Sequence, residues 1–553
     1  MLSASFDDEE LVHAEPAAEV ADNARPPKLR KTETLLIEEN AAIDLLNRAA
    51  RLRRKYQEPV LASASILDAL SQAHTIGYSF DSSGILELTA SDRQQNRVVA
   101  SCDIDVGTFS ADYADLIKIV TNGTARTFCH QRLMMLQQRF DLHETEQGDV
   151  ELREMGRGQM ASIDFFKVGK VDNHIHLAAA FHAGKFSEYV KTKLTHEADT
   201  VVAVDGGTPK SLSQLFREAG LDETQLGLDA FHLLADHSLY QRFDRFNDRY
   251  NPWRKSRMRT IFLKSSNAID GRYFGELTRQ LLDRAERKYE ATQTTMELRI
   301  SIYGIDQGEW AKLAKWVLTP WLGWEGLSAR PLLSHVNRWI IQIPRLYSLF
   351  RNKRGSDGTP QIPNFQSMLE NIFAPLVEAT LHPDAHTELA QLLENVVAFD
   401  SVDDESNPEQ PVDSTSASGW AREEQPNYSW QLYMLWGNLS TLNRLRAAKG
   451  LNTIALRPHC GESGDPHHLA GAYLCAASIN HGIRLGESAV LQYLYYLDQV
   501  GLSVSPISNH FLFLKARNSP FPKFFRRGLN VTLSTDDPML VSRTRPFSVP
   551  DGP

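Results

Sequence analysis

The spacing of apolar residues changes rhythm near residue 160. From about Glu33 to Tyr56, the residues Ile37, Ala41, Leu45, Leu52 and Tyr56 recur at the interval of one helix face. Leu133, Leu136 and Phe140 do the same within Thr127–Phe140. This spacing predicts a helical lead-in over 31–160. Residues 1–30, acidic, Ala- and Pro-containing and without periodicity, read as a disordered tail. Beyond residue 160, short apolar, often β-branched runs alternate with longer helix-like stretches. Eight runs read as strands: Val168–His176, Leu298–Gly304, Trp339–Ile343, Val396–Phe399, Thr453–Leu456, Ser478–Ile483, Leu502–Pro506 and Leu529–Ser534. Pro466–Ser478 and Ala489–Val500 are among the stretches apolar on one helical face. The alternation predicts a parallel sheet, and eight strands favour an α/β closed barrel of the (β/α)8 type over 161–553. A doubly wound open sheet is the alternative. Ser401–Ser429, rich in Asp, Glu, Ser and Pro, breaks the pattern and reads as a long surface loop.

Composition narrows the classes without choosing one. The chain has 553 residues, 42% apolar and 23% charged, as ordinary globular proteins do. No apolar run approaches the roughly 18 residues that span a bilayer. The start, Met1-Leu-Ser-Ala-Ser-Phe-Asp-Asp-Glu-Glu, lacks the basic beginning and apolar core of a signal peptide, so the expected compartment is cytoplasmic. Four cysteines, with no Cys-x-x-Cys pair, form neither a disulfide framework nor a sulfur-ligated metal site. A formal net charge of −10 argues against nonspecific nucleic-acid binding. Any phosphate the protein meets must be held by a few placed basic residues rather than a broad positive field.

Polar residues cluster where the predicted strands end. His174-Ile175-His176 closes the first strand, and alternate strand residues share a face, as two ligands of one metal must. With 18 His in the chain, chance alone supplies roughly 0.6 such pairs, so the motif by itself says little. The fifth strand runs into His459-Cys460-Gly461-Glu462, the sixth carries His481, and the eighth ends in Asp536-Asp537. A lone His-x-x-Glu is common, and a lone Asn-His-Gly is more often a loop. The carboxylate pair differs from Asp7-Asp8 and Asp403-Asp404 in closing an apolar run, where charge needs a partner. Reactive groups of a (β/α) barrel collect at the C-terminal ends of several strands at once. Read jointly, these residues compose a nitrogen-rich metal site with carboxylates for proton transfer.

At these positions the sequence resembles the AMP deaminase family. Lys170-Val-Asp-Asn-His-Ile-His176, Phe399-Asp-Ser-Val-Asp-Asp-Glu-Ser406, Leu456-Arg-Pro-His-Cys-Gly-Glu462, Leu491-Gln-Tyr-Leu-Tyr-Tyr-Leu497 and Leu533-Ser-Thr-Asp-Asp-Pro538 are similar to family motifs and stand in the family's order. Arg245-Phe-Asn-Asp-Arg-Tyr-Asn-Pro252, Ser301-Ile-Tyr-Gly304 and Met368-Leu-Glu-Asn-Ile-Phe373 match between them. The resemblance implies zinc-dependent hydrolysis of AMP to IMP and ammonia in purine nucleotide metabolism. It implies Zn2+ on His174, His176, His459 and Asp536, with His481, Glu462 and Asp537 catalytic, Glu462 facing purine N1. Substrate contacts are implied for His176, Arg245, Phe246, Asn247, Asp248, Arg249, Tyr250, Glu462, Asp537, Pro538, Met539 and Leu540. Arg245 and Arg249 suit the 5′-phosphate, because guanidinium offers an oxyanion a planar fork. A homotetramer and control by ATP, GTP or phosphate are implied as well, without support from the residues themselves.

The sequence departs from the family's pattern in places. Arg249 stands where Lys is common, Trp253-Arg254 replaces a usual Gly, and Ser508-Asn509-His510 replaces Ser-Asn-Asn. Beyond Pro538 the family continues through further helical segments, whereas here Val541 runs into a Pro-rich end at Pro553. The expectation is a truncated barrel that lacks its last covering helix. That expectation keeps a second reading open, a catalytically impaired relative that binds nucleotide or serves as an oligomer-partner subunit. Deamination of adenosine itself is a third reading, against which the Arg245–Tyr250 segment argues.

Overall fold

The computed structural model describes residues 27–541, except 58–63, 73–74, 92–95, 158–167, 222–225, 227–236, 324–326, 356–357, 408–410 and 413. The predicted tail therefore lies outside the described residues up to residue 26, and residues 27–30 already belong to a helix. The altered C-terminal stretch beyond Val541 also lies outside them.

The lead-in is not purely helical. Helices α1 (Pro27–Gln57), α2 (Ala64–Ser71), α3 (Val106–Thr121) and α4 (Gly123–Arg157) flank a three-stranded antiparallel sheet of β1 (Thr75–Phe80), β2 (Leu86–Ser91) and β3 (Asn96–Ala100). Its signal is present but short. Leu86, Leu88 and Ala90 alternate inward at period two. The turn before them is pinned by the Asp81 carboxylate, which accepts from the Ser83 and Ile85 amides at 2.8 and 2.9 Å. The lead-in packs on the second half of the barrel. Arg53 of α1 donates to the Tyr473 and Ala476 carbonyls, and the Tyr56 and Trp436 rings lie 5.0 Å apart.

The remaining strands form a closed barrel. β4 (Lys170–His176) is followed by an excursion of short helices and the hairpin β5 (Val201–Asp205) and β6 (Thr208–Ser211). Then come β7 (Thr294–Ser301), β8 (Asn337–Pro344), β9 (Val396–Val402), β10 (Ala455–Leu456), β11 (His459–Cys460), β12 (Ser478–His481), β13 (Gly501–Val504) and β14 (Val531–Leu533). Two parallel ladders run β10-β9-β8-β7-β4 and β11-β12-β13-β14. β10 and β11 are one stave, interrupted where Pro458 has no N–H to donate. The other seam closes at Asp536, whose amide donates to the His174 carbonyl and whose carbonyl accepts from the His176 amide, both at 2.9 Å. All eight predicted strands are thus staves of the barrel, and the open-sheet alternative falls.

Among the described residues, 403–427 form neither helix nor strand and are mostly exposed or half-buried, as expected of a long surface loop. The predicted segment Ser401–Ser429 begins within β9 and ends within the helix Tyr428–Ala448, and between them Glu405, Ala417 and Trp420 are buried. The loop is anchored at a few points: Arg345 pairs with Asp403 at 2.8 Å and donates to the Pro426 carbonyl at 2.7 Å.

Candidate functional site

The staves deliver their polar ends to one place. His174 and His176 come from the end of β4, His459 from β11, His481 from the end of β12, and Asp536 and Asp537 follow β14. Glu462 sits just beyond β11. His481 and Asp536 adopt left-handed backbone, with φ of 65° and 61°. Non-glycine residues rarely take that conformation, and strain of this kind gathers at functional sites.

Four ligand atoms converge. The Nε2 atoms of His174 and His459 lie 3.0 Å apart, and those of His176 and His459 lie 3.3 Å apart. Asp536 Oδ1 is 3.1 Å from His176 Nε2 and 3.4 Å from His174 Nε2. The Nδ1 of His459 faces Asp400 Oδ1 at 2.9 Å, which leaves its Nε2 a bare lone pair turned toward the others. Burial, then the Arg299 charge, hold His174 well below the usual imidazole range, so it is a neutral donor. Burial alone would raise the Asp536 carboxyl, but the bond from His176 and the field of the imidazoles hold it well below the carboxylate range. For His176 burial is outweighed by Asp537 and Asp536, and its pKa rises to about 9. A field that keeps a proton on His176 also favours a divalent cation. Three nitrogens and one carboxylate at these separations match a tetrahedral donor set with bonds of about 2.0–2.1 Å, whose donors stand roughly 3.3 Å apart. The donor set fits a metal ion.

Proton-transfer groups surround that centre. Burial, then the charges of Asp536, Glu405 and Asp537, push the Glu462 carboxyl well above its ordinary range, so it is a neutral acid. Burial lowers His481 to about 3, so it is a neutral base. Its Nδ1 lies 3.0 Å from the Asn509 amide nitrogen and 3.4 Å from Glu462 Oε1, while its buried Nε2 has no hydrogen-bond partner among the described residues. Burial and Asp536 raise Asp537 to about 7, and the Tyr250 hydroxyl donates to it.

A cavity of about 410 Å³ opens over these groups, within the size range of small-molecule sites. His176, Glu462, His481, Asp536 and Asp537 line it, as do Phe246, Asn247 and Tyr250 from the Arg245–Tyr250 segment. Arg245, Asp248 and Arg249 do not line it, nor do Pro538, Met539 and Leu540, which are buried. Arg259, Lys264, Ser265 and Ser266 line it instead.

A model of the family described as AMP deaminase matches residues 41–549. The chain belongs to the AMP deaminase family. It is 42% identical over 444 residues to an AMP deaminase of Arabidopsis thaliana, covering 80% of this chain and 50% of that one. It is 41% identical to AMP deaminase of Saccharomyces cerevisiae over 78% of this chain and 51% of the relative. AMP deaminase 3 of Homo sapiens is 39% identical over 80% of this chain and 55% of its own. The chain thus spans about half the length of the curated AMP deaminases it matches. No helix among the described residues is long and apolar enough to cross a membrane.

Behind the AMP deaminase motifs lies a supporting layer that the sequence did not single out. Asp400, at the end of β9, is fully buried between His459 and Arg299, the latter at 2.9 Å. Burial would raise its carboxyl, but His459 and Arg299 hold it down at about 2. Arg299 also donates to the Asn173 carbonyl and to Asn480, tying three staves together. Glu405 accepts from the Gly461 and Glu462 amides at 2.8 and 3.2 Å and faces His468 Nδ1 at 3.1 Å. Gly464 lets this approach happen, since a Cβ there would stand 1.8 Å from the Glu405 carbonyl oxygen. Asp400 and Glu405 lie within a string that matches the family, and Asn509 lies within one that departs from it. Their position at strand ends was the available signal.

Asp400→Asn is expected to weaken metal affinity about 10- to 100-fold, because it removes the carboxylate that orients His459. It also strands the buried Arg299 charge, at a cost of about 3–5 kcal/mol in stability. Competition with a chelator measures the first effect and urea denaturation the second.

Proposed function

We propose that the chain catalyses the hydrolytic deamination of AMP to IMP and ammonia, with zinc held by His174, His176, His459 and Asp536. The observation that carries the reading is one cavity joining a three-His, one-Asp donor set to a neutral glutamic acid and a second carboxylate. Nitrogen-rich donor sets of this shape favour zinc over magnesium or calcium, which take oxygen ligands. Zinc bound there makes water acidic enough to serve as a nucleophile near neutral pH. His481 and Asp537 accept the proton of the attacking water and hold it for the leaving amino group. Glu462 donates its proton to purine N1, so that C6 becomes tetrahedral without negative charge building on the ring. Tyr250 keeps Asp537 aimed through its hydroxyl. Phe246 and Asn247 bound the nucleotide from the side of the excursion after β4.

The test is ammonia release from AMP and from adenosine, alongside metal analysis. About one zinc per chain is expected, as for a single site of this kind, with AMP much preferred over adenosine. Bound zinc without IMP formation sinks the reading.

A further inference from the structure

Each histidine of the donor set has a second ring nitrogen that must go somewhere. His459 Nδ1 faces the Asp400 carboxylate at 2.9 Å, and His176 Nδ1 faces the Gln342 carboxamide, with Oε1 at 3.3 Å and Nε2 at 3.1 Å. His174, which is fully buried, meets only a hydroxyl there: Ser505 Oγ lies 3.4 Å from its Nδ1. Ser505 Oγ is in turn 2.8 Å from Ser534 Oγ, and the Ser534 hydroxyl reaches the Val504 carbonyl at 3.1 Å. We propose that Ser505 and Ser534 are positioning residues for His174, a chain of two hydroxyls that keeps a proton on Nδ1 and so leaves the Nε2 lone pair for the metal. The inference rests on the metal-binding part of the functional reading and deepens it.

The chain has a direction because its far end is a carbonyl, which can only accept. With Ser534 donating to Val504, the Ser534 oxygen accepts from Ser505, and the Ser505 oxygen accepts from Nδ1–H. All three contacts are then hydrogen bonds. Turned the other way, Ser534 donates to Ser505 and Ser505 to Nδ1. The contact with Val504 is then lost, and the ring proton sits on Nε2, where the metal binds. A cation on Nε2 also makes Nδ1–H a stronger donor, so metal binding and this direction of the chain support each other.

Local sequence would spend Ser505 elsewhere. It precedes Pro506, the first residue of a helix over Pro506–Leu512, and a serine in that place ordinarily caps the helix with its side-chain oxygen. Ser505 makes no such cap bond, which leaves the oxygen for His174. Asp172, two residues before His174, is not a rival acceptor. Its carboxylate takes Thr535 Oγ1 at 2.5 Å and the Thr535 and His174 amides at 3.3 and 3.4 Å. The chain also crosses a seam. Ser505 follows β13, Ser534 follows β14 and His174 belongs to β4, and among the described residues the ladders of β14 and β4 meet only through the Asp536 bridge.

The deciding experiment compares S505A, S534A, the double variant and S508A with the unmodified chain. The readouts are zinc affinity, by competition with a chelator, and the exchangeable ring N–H proton signals of the cobalt-loaded chain. S505A is expected to weaken zinc about 10- to 100-fold, as for loss of a partner behind a ligand. S534A should weaken it by less, since Ser505 keeps its lone pairs. The double variant should bind as S505A does, because Ser534 acts only through Ser505. One ring N–H signal should move in both single variants while the others stay. Zinc affinity within about twofold of the unmodified chain in either single variant, or losses that multiply in the double variant, overturns the proposal. An equal fall in S508A, which removes a buried hydroxyl without a hydrogen-bond partner among the described residues, overturns it as well. If the unmodified chain binds no zinc, the metal reading fails separately, and the ring nitrogen-15 shifts of His174 in the metal-free chain decide the serines. A proton on Nδ1 sustains their role, and a proton on Nε2 rules it out.

Discussion

His459→Ala is expected to release the metal and to lower kcat for AMP by at least about 10⁴-fold, the scale on which metal-assisted hydrolysis depends on its ion. His459 is the hinge of the donor set. Its Nε2 is the nitrogen nearest to both other imidazoles, and its Nδ1 is fixed by Asp400. Replacing it removes one ligand and unfastens the carboxylate that stiffens the rest. Chelation of the unmodified chain should reproduce the loss, and added zinc should reverse it there but not in the variant. The affinity should also follow pH with a defined sign. His176 holds a proton up to about pH 9 in the field of Asp537 and Asp536, and that proton must leave before Nε2 can bind a cation. Apparent zinc affinity therefore rises by up to about tenfold per pH unit below that value and levels off above it. Isothermal titration with zinc between pH 6 and 9 reads the slope, and a flat profile would show that His176 carries no proton to displace.

The second large effect is expected at Glu462. Glu462→Gln preserves shape and a hydrogen-bond donor toward purine N1 but cannot give up a proton. It should lower kcat by about 10²- to 10⁴-fold, as loss of a general acid does, with little change in KM or zinc content. The raised pKa sets the sign of the pH dependence. The protonated carboxyl is the active form, so activity fades as pH rises through the elevated value, and this basic limb should be missing from the residual rate of the variant. Stability falls with rising pH as well. A group whose folded pKa is raised stabilises the fold fully below its unfolded pKa and loses that contribution as pH rises toward the folded value. Between the unfolded and the folded value the unfolded chain carries an ionised Glu462 and the folded one does not, so folding there takes up a proton. Glu462→Gln abolishes that cost, and its melting temperature should equal or exceed that of the unmodified chain. A variant that is both inactive and less stable would mean that Glu462 is structural.

Much of this centre is written locally. The histidine pair of β4, the His459–Glu462 step and the adjacent aspartates each stand where an apolar run ends, and the family match spans all of them. The three-stranded sheet in the lead-in was missed because its strands are five or six residues long and lie between long helices. The loop after β9 was legible, but not the burial of Glu405 within it, because an Asp/Glu/Ser-rich stretch reads as solvated unless its partners are known. Glu405 finds those partners 56 to 63 residues further along.

The sequence by itself determined the eight-strand alternation and the polar residues that stand at the strand ends, because both follow from short-period patterning and residue chemistry. The tertiary structure alone decided the rest. It closed the barrel through backbone bonds between His176 and Asp536, some 360 residues apart. It also raised the Glu462 carboxyl, lowered the His481 imidazole and brought Asp536 to the three histidines. Those differences come from burial and from the charges that folding brings within a few ångströms, and neither is a property of a residue in its own stretch of chain.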